Sequence, residues 1–193
     1  MTEVACRRVS RHETPAADPT RIVLTIRQAT DRDREVVRAL FSEYLHAVCP
    51  PCNREYGTSF DPDAMLPSDL AHLEVFEPPE GRLLLAFEDG GAAGVACVRT
   101  IGPRVAEIKR MFVRPAFRRR GIGRALVDAA VGEMRAVGYT ALRLDSARFM
   151  TAAHAVYLAA GFREIASYPE SEVPREFHEH WVFMELPLVE DPG

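Results

Sequence analysis

Glu107-Ile108-Lys109-Arg110-Met111-Phe112-Val113-Arg114-Pro115-Ala116-Phe117-Arg118-Arg119-Arg120-Gly121-Ile122-Gly123-Arg124-Ala125-Leu126 is the most informative stretch of the chain. A strand ends, a basic turn follows, and two glycines open a helix. A helix N-terminus presents unpaired N–H groups and roughly half a positive charge, which makes a ready site for phosphate. Glycine at positions 121 and 123 lets an anion approach the backbone without meeting a Cβ. Arg118, Arg119, Arg120 and Arg124 add charge that suits a ligand carrying several phosphates. The plain alternative is a solvated basic face beside a helix-starting glycine turn. Two rival phosphate motifs fit less well. The lysine and hydroxyl of a P-loop are missing where Arg124-Ala125 stands, and the dinucleotide fingerprint needs a third glycine that this turn lacks.

Outward from that turn, apolar spacing sets the elements. Ile22 to Gln28 alternates and is β-branched, so it reads as a strand. Thr30 offers an N-cap with Asp33 three positions on, and Val36, Val37, Leu40, Phe41, Tyr44 and Leu45 predict a helix to about Ala47. Residues 50–79 hold six of the fourteen prolines and read as loop-rich. Within them, Asp61-Pro62 opens a short helix through about His72. Leu83–Glu88 and Ala92–Thr100 flank Asp89-Gly90-Gly91, a hairpin signal. Val105 to Val113 is a further strand, Gly121 to Val137 a long helix stopped by Gly138. Ala141 to Asp145 reads as a strand, Thr151 to Ala160 as a helix, and Phe162–Ile165 and Trp181–Leu186 as the last two strands. This order implies a mixed α/β sheet with helices on both faces.

Composition bounds the functional classes. A chain of 193 residues supports one domain, here taken as residues 21–188, between a flexible tail over 1–20 and a short one over 189–193. The 47% hydrophobic and 27% charged residues exclude collagen-like and largely disordered chains. No apolar run approaches the roughly 18 residues that span a bilayer, and the first twenty residues lack an apolar secretory segment. The expectation is a cytoplasmic protein with no membrane partner. A net charge of −4 argues against a nucleic-acid partner. Cys6, Cys49, Cys52 and Cys97 are too sparse for a disulfide scaffold. Cys49-Pro50-Pro51-Cys52 has the CxxC form, and His46 precedes it. No second CxxC or HxxxH completes a zinc site, so a proline-stiffened turn is expected and no metal. Cys97 falls in a core strand without a neighbouring base and is not expected to be a nucleophile.

With these elements in place, the chain resembles the GNAT superfamily of acetyl-CoA-dependent N-acetyltransferases. Arg118-Arg119-Arg120-Gly121-Ile122-Gly123 matches the family's pyrophosphate signature: Gln or Arg, two residues, Gly, one residue, Gly or Ala. Tyr157-Leu158-Ala159-Ala160-Gly161-Phe162, beginning 34 residues after Gly123, resembles its Tyr-x-x-x-Gly-Phe element. The resemblance implies a mostly antiparallel central sheet with a splayed parallel pair, the strand 105–113 bulging away from 141–145. It implies acetyl-CoA as co-substrate, its pantetheine arm pairing with backbone of Met111 and Val113. A backbone N–H near Met111 or Phe112 would polarise the acetyl carbonyl, and the amides of Arg119 to Arg124, Gly121, Ile122 and Gly123 included, would hold the pyrophosphate. Tyr157 would protonate the departing thiolate. Its helix neighbours Ala153, His154 and Ala160 are small or polar and leave room for a ligand.

The base depends on the acceptor. A lysine ε-amine, with pKa about 10.4, costs about 4.6 kcal/mol to deprotonate at pH 7, an α-amine only about 1 kcal/mol. Glu107 is the candidate base, eleven residues before Arg118, the spacing of the catalytic glutamate in the histone-lysine acetyltransferase branch. A glutamate in a buried strand also needs either a function or a partner, and Lys109, two residues on, is a candidate ion-pair partner. Asp145 stands where the ribosomal-protein branch often places a glutamate base and is the second candidate. Met150 departs from the family's cofactor-contacting asparagine. His178 and His180 read as loop bystanders. Glu170, Glu172, Glu176 and Glu179 crowd the loop before the last strand, as an attraction for a cationic amine or as a solvated acidic face. The expected partner is a small-molecule or peptide amine, with a homodimer left open, and the competing function is a catalytically silent acyl-CoA-binding module.

Overall fold

The computed structural model describes residues 22–189. The expected N-terminal tail lies outside them, as do residues 190–193. Seven strands form one sheet: β1 (Leu24–Gln28), β2 (Arg82–Glu88), β3 (Gly91–Gly102), β4 (Val105–Val113), β5 (Ala141–Ala147), β6 (Arg163–Ile165) and β7 (Trp181–Pro187). Their order across the sheet is β1-β2-β3-β4-β5-β7-β6. Every pairing is antiparallel except β4 with β5, as the resemblance implies. The four helices are α1 (Arg34–Tyr56), α2 (Pro62–Ala71), α3 (Ile122–Ala136) and α4 (Thr151–Ala159).

Both faces of the sheet are covered, which is why β2 reads as a continuous apolar run. On one face Leu84, Ala86, Ala96, Val98, Ala106, Ile108, Leu142 and Leu144 pack against Leu126, Val127, Ala130 and Met134 of α3 and Tyr157 of α4. On the other, Leu83, Leu85, Val95, Cys97 and Phe112 pack against Val37, Leu40, Phe41, Leu45 and Cys49 of α1. The β2–β3 hairpin turns on Asp89 and Gly90, both at positive φ (49° and 81°), as Asp-Gly predicts. Thr30 and Asp33 form the expected box: the Asp33 carboxylate accepts from the Thr30 N–H (2.8 Å) and hydroxyl (2.7 Å).

One expectation fails over residues 48–56. The proline-stiffened turn is absent, and α1 runs through Pro50 and Pro51 to Gly57, whose φ of 67° ends it. Proline removes a helical hydrogen bond and is unfavourable there by about 3 kcal/mol. Burial opposes that penalty: Cys49 and Cys52 continue the inward stripe of Leu40, Phe41 and Leu45 and are almost fully buried. The same burial holds the Cys49 thiol above its ordinary value and pushes Cys52 up to about 11, with its neighbour Cys49 adding to the effect. Among the described residues no cluster suited to a metal ion forms around them. Residues 50–79 are correspondingly helix-rich rather than loop-rich, with α2 opening at Asp61-Pro62 where the sequence places it.

Candidate active site

The parallel pairing of β4 with β5 stops at Ile108 opposite Leu144. Beyond that point β4 bulges. Val95 faces Phe112 while Cys97 faces Lys109, so two steps along β3 meet three along β4. Arg110 takes up the extra residue at a φ of 52°. A fork in Asp69 holds it there, with Nε and Nη2 donating to the two carboxylate oxygens at 2.7 Å each. The two strands therefore part, and a cleft opens in the gap. Lys109, Arg110, Met111, Asp145, Ser146, Met150 and Tyr157 line it, with Tyr44 and Trp181 as aromatic walls.

At the outer end of β4, the turn before α3 carries Arg119 at φ 61° and Gly121 at φ 79°. Two left-handed residues within three positions turn successive N–H groups to one side, a shape suited to anions, and α3 begins there without a side-chain cap. The two glycines serve different needs. Gly121 is required by its φ, since a Cβ there would meet nothing within 4 Å, whereas Gly123 packs its bare Cα near Met111 and Val113. The arginines divide likewise. Arg118 donates to the Val113 carbonyl (3.0 Å), Arg120 pairs with Glu88, and Arg124 with Asp128 and the Ala159 carbonyl. Arg119 makes no side-chain hydrogen bond among the described residues.

Tyr157 reaches the cleft from α4 as a buried phenol, tilted against Phe162, and burial raises it above its ordinary value. Asp145 reaches the cleft floor. Its Oδ2 accepts from Lys109 Nζ (3.2 Å) and Ser171 Oγ (3.1 Å).

Glu107 is placed differently. It is fully buried and does not line the cleft. Arg99, its cross-strand partner in β3, donates to Oε2 at 2.7–2.8 Å, and the Tyr168 hydroxyl donates to Oε1 at 2.6 Å. Lys109, the expected partner, is more distant at 3.9 Å and lies closer to Asp145. Burial pushes the Glu107 carboxyl up, against the pull of Lys109 and Arg99. Burial would lower Lys109, but Asp145, Glu107 and Glu172 outweigh it and hold the ammonium charged. The acidic loop is largely spoken for: Glu172 pairs with Arg99 and Lys109, and Glu170 lies 3.8 Å from Arg143. His180 stacks on Tyr56, and His178 bonds the Val173 carbonyl.

Arg99, Tyr168 and Trp181 carry no motif and escape a reading of the sequence. Only for Arg99 is there a usable signal, since the Gly102-Pro103 turn sets β3 opposite β4.

The family model of the acetyltransferase (GNAT) family matches residues 39–162. The chain belongs to this family. Among its relatives, the IAA acetyltransferase of Azospirillum brasilense is 33% identical over 122 residues, 62% of this chain and 76% of that protein. An uncharacterized N-acetyltransferase of Schizosaccharomyces pombe is 31% identical over 101 residues, 51% of this chain and 62% of that one. This chain thus spans a little under two thirds of the yeast protein's length. In fold, it is similar to a GNAT-family acetyltransferase of Staphylococcus aureus (TM-score 0.66, 20% identity, 86% of this chain and all of that one). It is also similar to YncA of Salmonella typhimurium, solved with acetyl-CoA (TM-score 0.62, 21% identity, 88% and 96%). The GNAT fold is thereby established.

Proposed function

We propose that this GNAT protein transfers the acetyl group of acetyl-CoA to a primary amine by direct attack in a ternary complex. The cleft at the parting of β4 and β5 carries this reading, because it sets an acid, Tyr157, and a carboxylate, Asp145, beside an anion-holding turn. The amides from Arg119 to Arg124 hold the pyrophosphate, with Arg118, Arg119 and Arg120 around them. The backbone of Met111 and Val113, freed from β5 beyond Ile108, pairs with the pantetheine arm. An N–H at Met111 or Phe112 stabilises the oxyanion.

Asp145 takes the place of Glu107 as the base in this reading, because it faces the cleft and Glu107 does not. It accepts a proton from the ammonium, and the free amine attacks the thioester carbonyl. As the C–N bond forms and the C–S bond breaks, the thiolate leaves with the Tyr157 proton. Glu107 instead pairs with Arg99 of β3 and, through the Tyr168 hydroxyl, fixes the loop of residues 166–180 to the sheet. The cluster of Arg99, Lys109, Glu107, Asp145 and Glu172 sets two cations against three carboxylates. Asp145 supplies a carboxylate at the cleft for an ammonium acceptor, and Tyr44 and Trp181 suit an apolar body attached to it.

A thiol-release screen with acetyl-CoA against amino acids, polyamines, aminoglycosides, arylalkylamines and peptides tests the proposal. Thiol release with an acetylated amine supports it. Tight acetyl-CoA binding without transfer to any amine would leave a silent CoA-binding module. Asp145→Asn is expected to lower turnover most for acceptors of high pKa, by roughly 10²-fold or more.

A further inference from the structure

Arg110 and Asp69 each stand where local preference is against them, and each is the other's partner. Arg110 is the bulged residue of β4, at a φ of 52°. A Cβ is disfavoured in the left-handed region, and glycine is the residue that commonly takes such a place in a bulge. The other non-glycine residues of positive φ among the described residues, Asp89, Arg104 and Arg119, lie in turns, so Arg110 alone adopts it inside a strand. Asp69 lies in the last turn of α2, whose dipole disfavours a carboxylate, and no basic residue of that turn offsets it.

The two side chains meet in a fork, Nε and Nη2 of Arg110 donating to Oδ2 and Oδ1 of Asp69 at 2.7 Å each. Both are mostly buried, and the guanidinium lies 5.9 Å from the centre of the Tyr44 ring, one wall of the cleft. A strained backbone angle persists only where its surroundings over-determine it, and such angles gather at active sites. Here the fork supplies the restraint, tying the bulge to α2. Arg110 also stands between Ile108, where pairing with β5 ends, and Met111 and Phe112. Its dihedral angles therefore set which way the following N–H groups point.

We propose that Asp69 is a positioning residue for acetyl transfer. Through its fork it holds Arg110 in the left-handed conformation, and so fixes the direction of the Met111 and Phe112 N–H groups. The inference rests on the reading of one of those groups as the oxyanion donor. In this role Asp69 touches neither acetyl-CoA nor the amine and acts through the backbone of β4.

The test compares wild type, Asp69→Ala, and Asp69→Ala combined with Arg110→Gly or with Arg110→Ala. Rates are taken with saturating acetyl-CoA and amine, well below the Tm of the least stable chain, so that every variant is folded. Loss of an oxyanion donor costs about 10²–10³ in kcat, and a donor kept but turned costs part of that. Asp69→Ala is expected to lose roughly tenfold in kcat, with KM for acetyl-CoA little changed because the turn before α3 is untouched. Glycine takes a positive φ without a Cβ to resist it, so the Arg110→Gly double variant should regain several-fold in kcat. The Arg110→Ala double variant, which keeps a Cβ, should stay slow. Equal recovery in both doubles would mean that only the stranded guanidinium mattered, and would overturn the positioning role. Wild-type kcat in Asp69→Ala, or no recovery with glycine, would overturn it too and leave the proposed function standing. A wild-type chain that transfers acetyl to no amine would remove that function, and the role of Asp69 with it.

Discussion

At the scale of single residues, the chemistry turns on which carboxylates and phenols face the cleft. Tyr157 and Asp145 do, and Glu107 does not, although the three side chains are alike in burial. Tyr157→Phe keeps the ring that packs on Phe162 and removes only the hydroxyl. Turnover should fall by ~10²–10⁴-fold with acetyl-CoA affinity nearly unchanged, and steady-state kinetics with varied acetyl-CoA checks this. Asp33 offers a matching case for stability. The Arg27 fork at 2.7–2.8 Å holds its carboxyl well below the usual carboxylate range. Burial opposes that, and the Thr30 hydrogen bonds assist it. A depressed folded value means stability that is present above the unfolded pKa of about 3.9 and lost as pH falls below it. Asp33→Asn should cost roughly 1–2 kcal/mol at pH 7, toward the lower end because Arg27 is 42% exposed. The gap between variant and wild type in urea unfolding should narrow on acidification below about pH 4.

At the scale of elements, local signals and burial compete. The Asp-Gly hairpin, the Asp61-Pro62 helix start and the Gly57 and Gly161 stops are local, and local rules predict most of them. Pro50 and Pro51 show burial winning: the inward face of Leu45, Cys49 and Cys52 keeps α1 helical across a pair that breaks most helices. Pro50 is exposed, so Pro50→Ala loses little packing and regains helix propensity. Against that stands the looser unfolded chain, about 0.4–1 kcal/mol. A net gain of about 2 kcal/mol is expected, read as a higher Tm. A lower Tm would show that the proline ring itself is packed in place.

At the scale of the whole molecule, the proposed function needs the cleft where β4 parts from β5 and the turn before α3 to serve one ligand. A ligand that binds only the folded chain stabilises it by mass action, about 2.7 kcal/mol at a hundred times Kd. For a chain of this size that corresponds to roughly 5–10 °C in Tm. Acetyl-CoA should produce such a shift and raise it with concentration. A melting curve unmoved at millimolar acetyl-CoA would show that the turn at Arg119 and Gly121 does not hold it.

The family, the element order and the glycine turn before α3 were determined by the sequence alone, because each rests on near-neighbour rules: glycine at positive φ, apolar periodicity, motif spacing along one strand and helix. Tertiary structure decided the rest. Glu107, Lys109 and Asp145 differ in role only through what other strands and loops bring to them: Arg99 from β3 and Tyr168 from a loop some sixty residues away satisfy Glu107, and Lys109 turns toward Asp145. Ser146 meets His154 only because α4 folds back onto β5. Charge pairing and burial act through space, and a linear chain carries their partners without stating their distances.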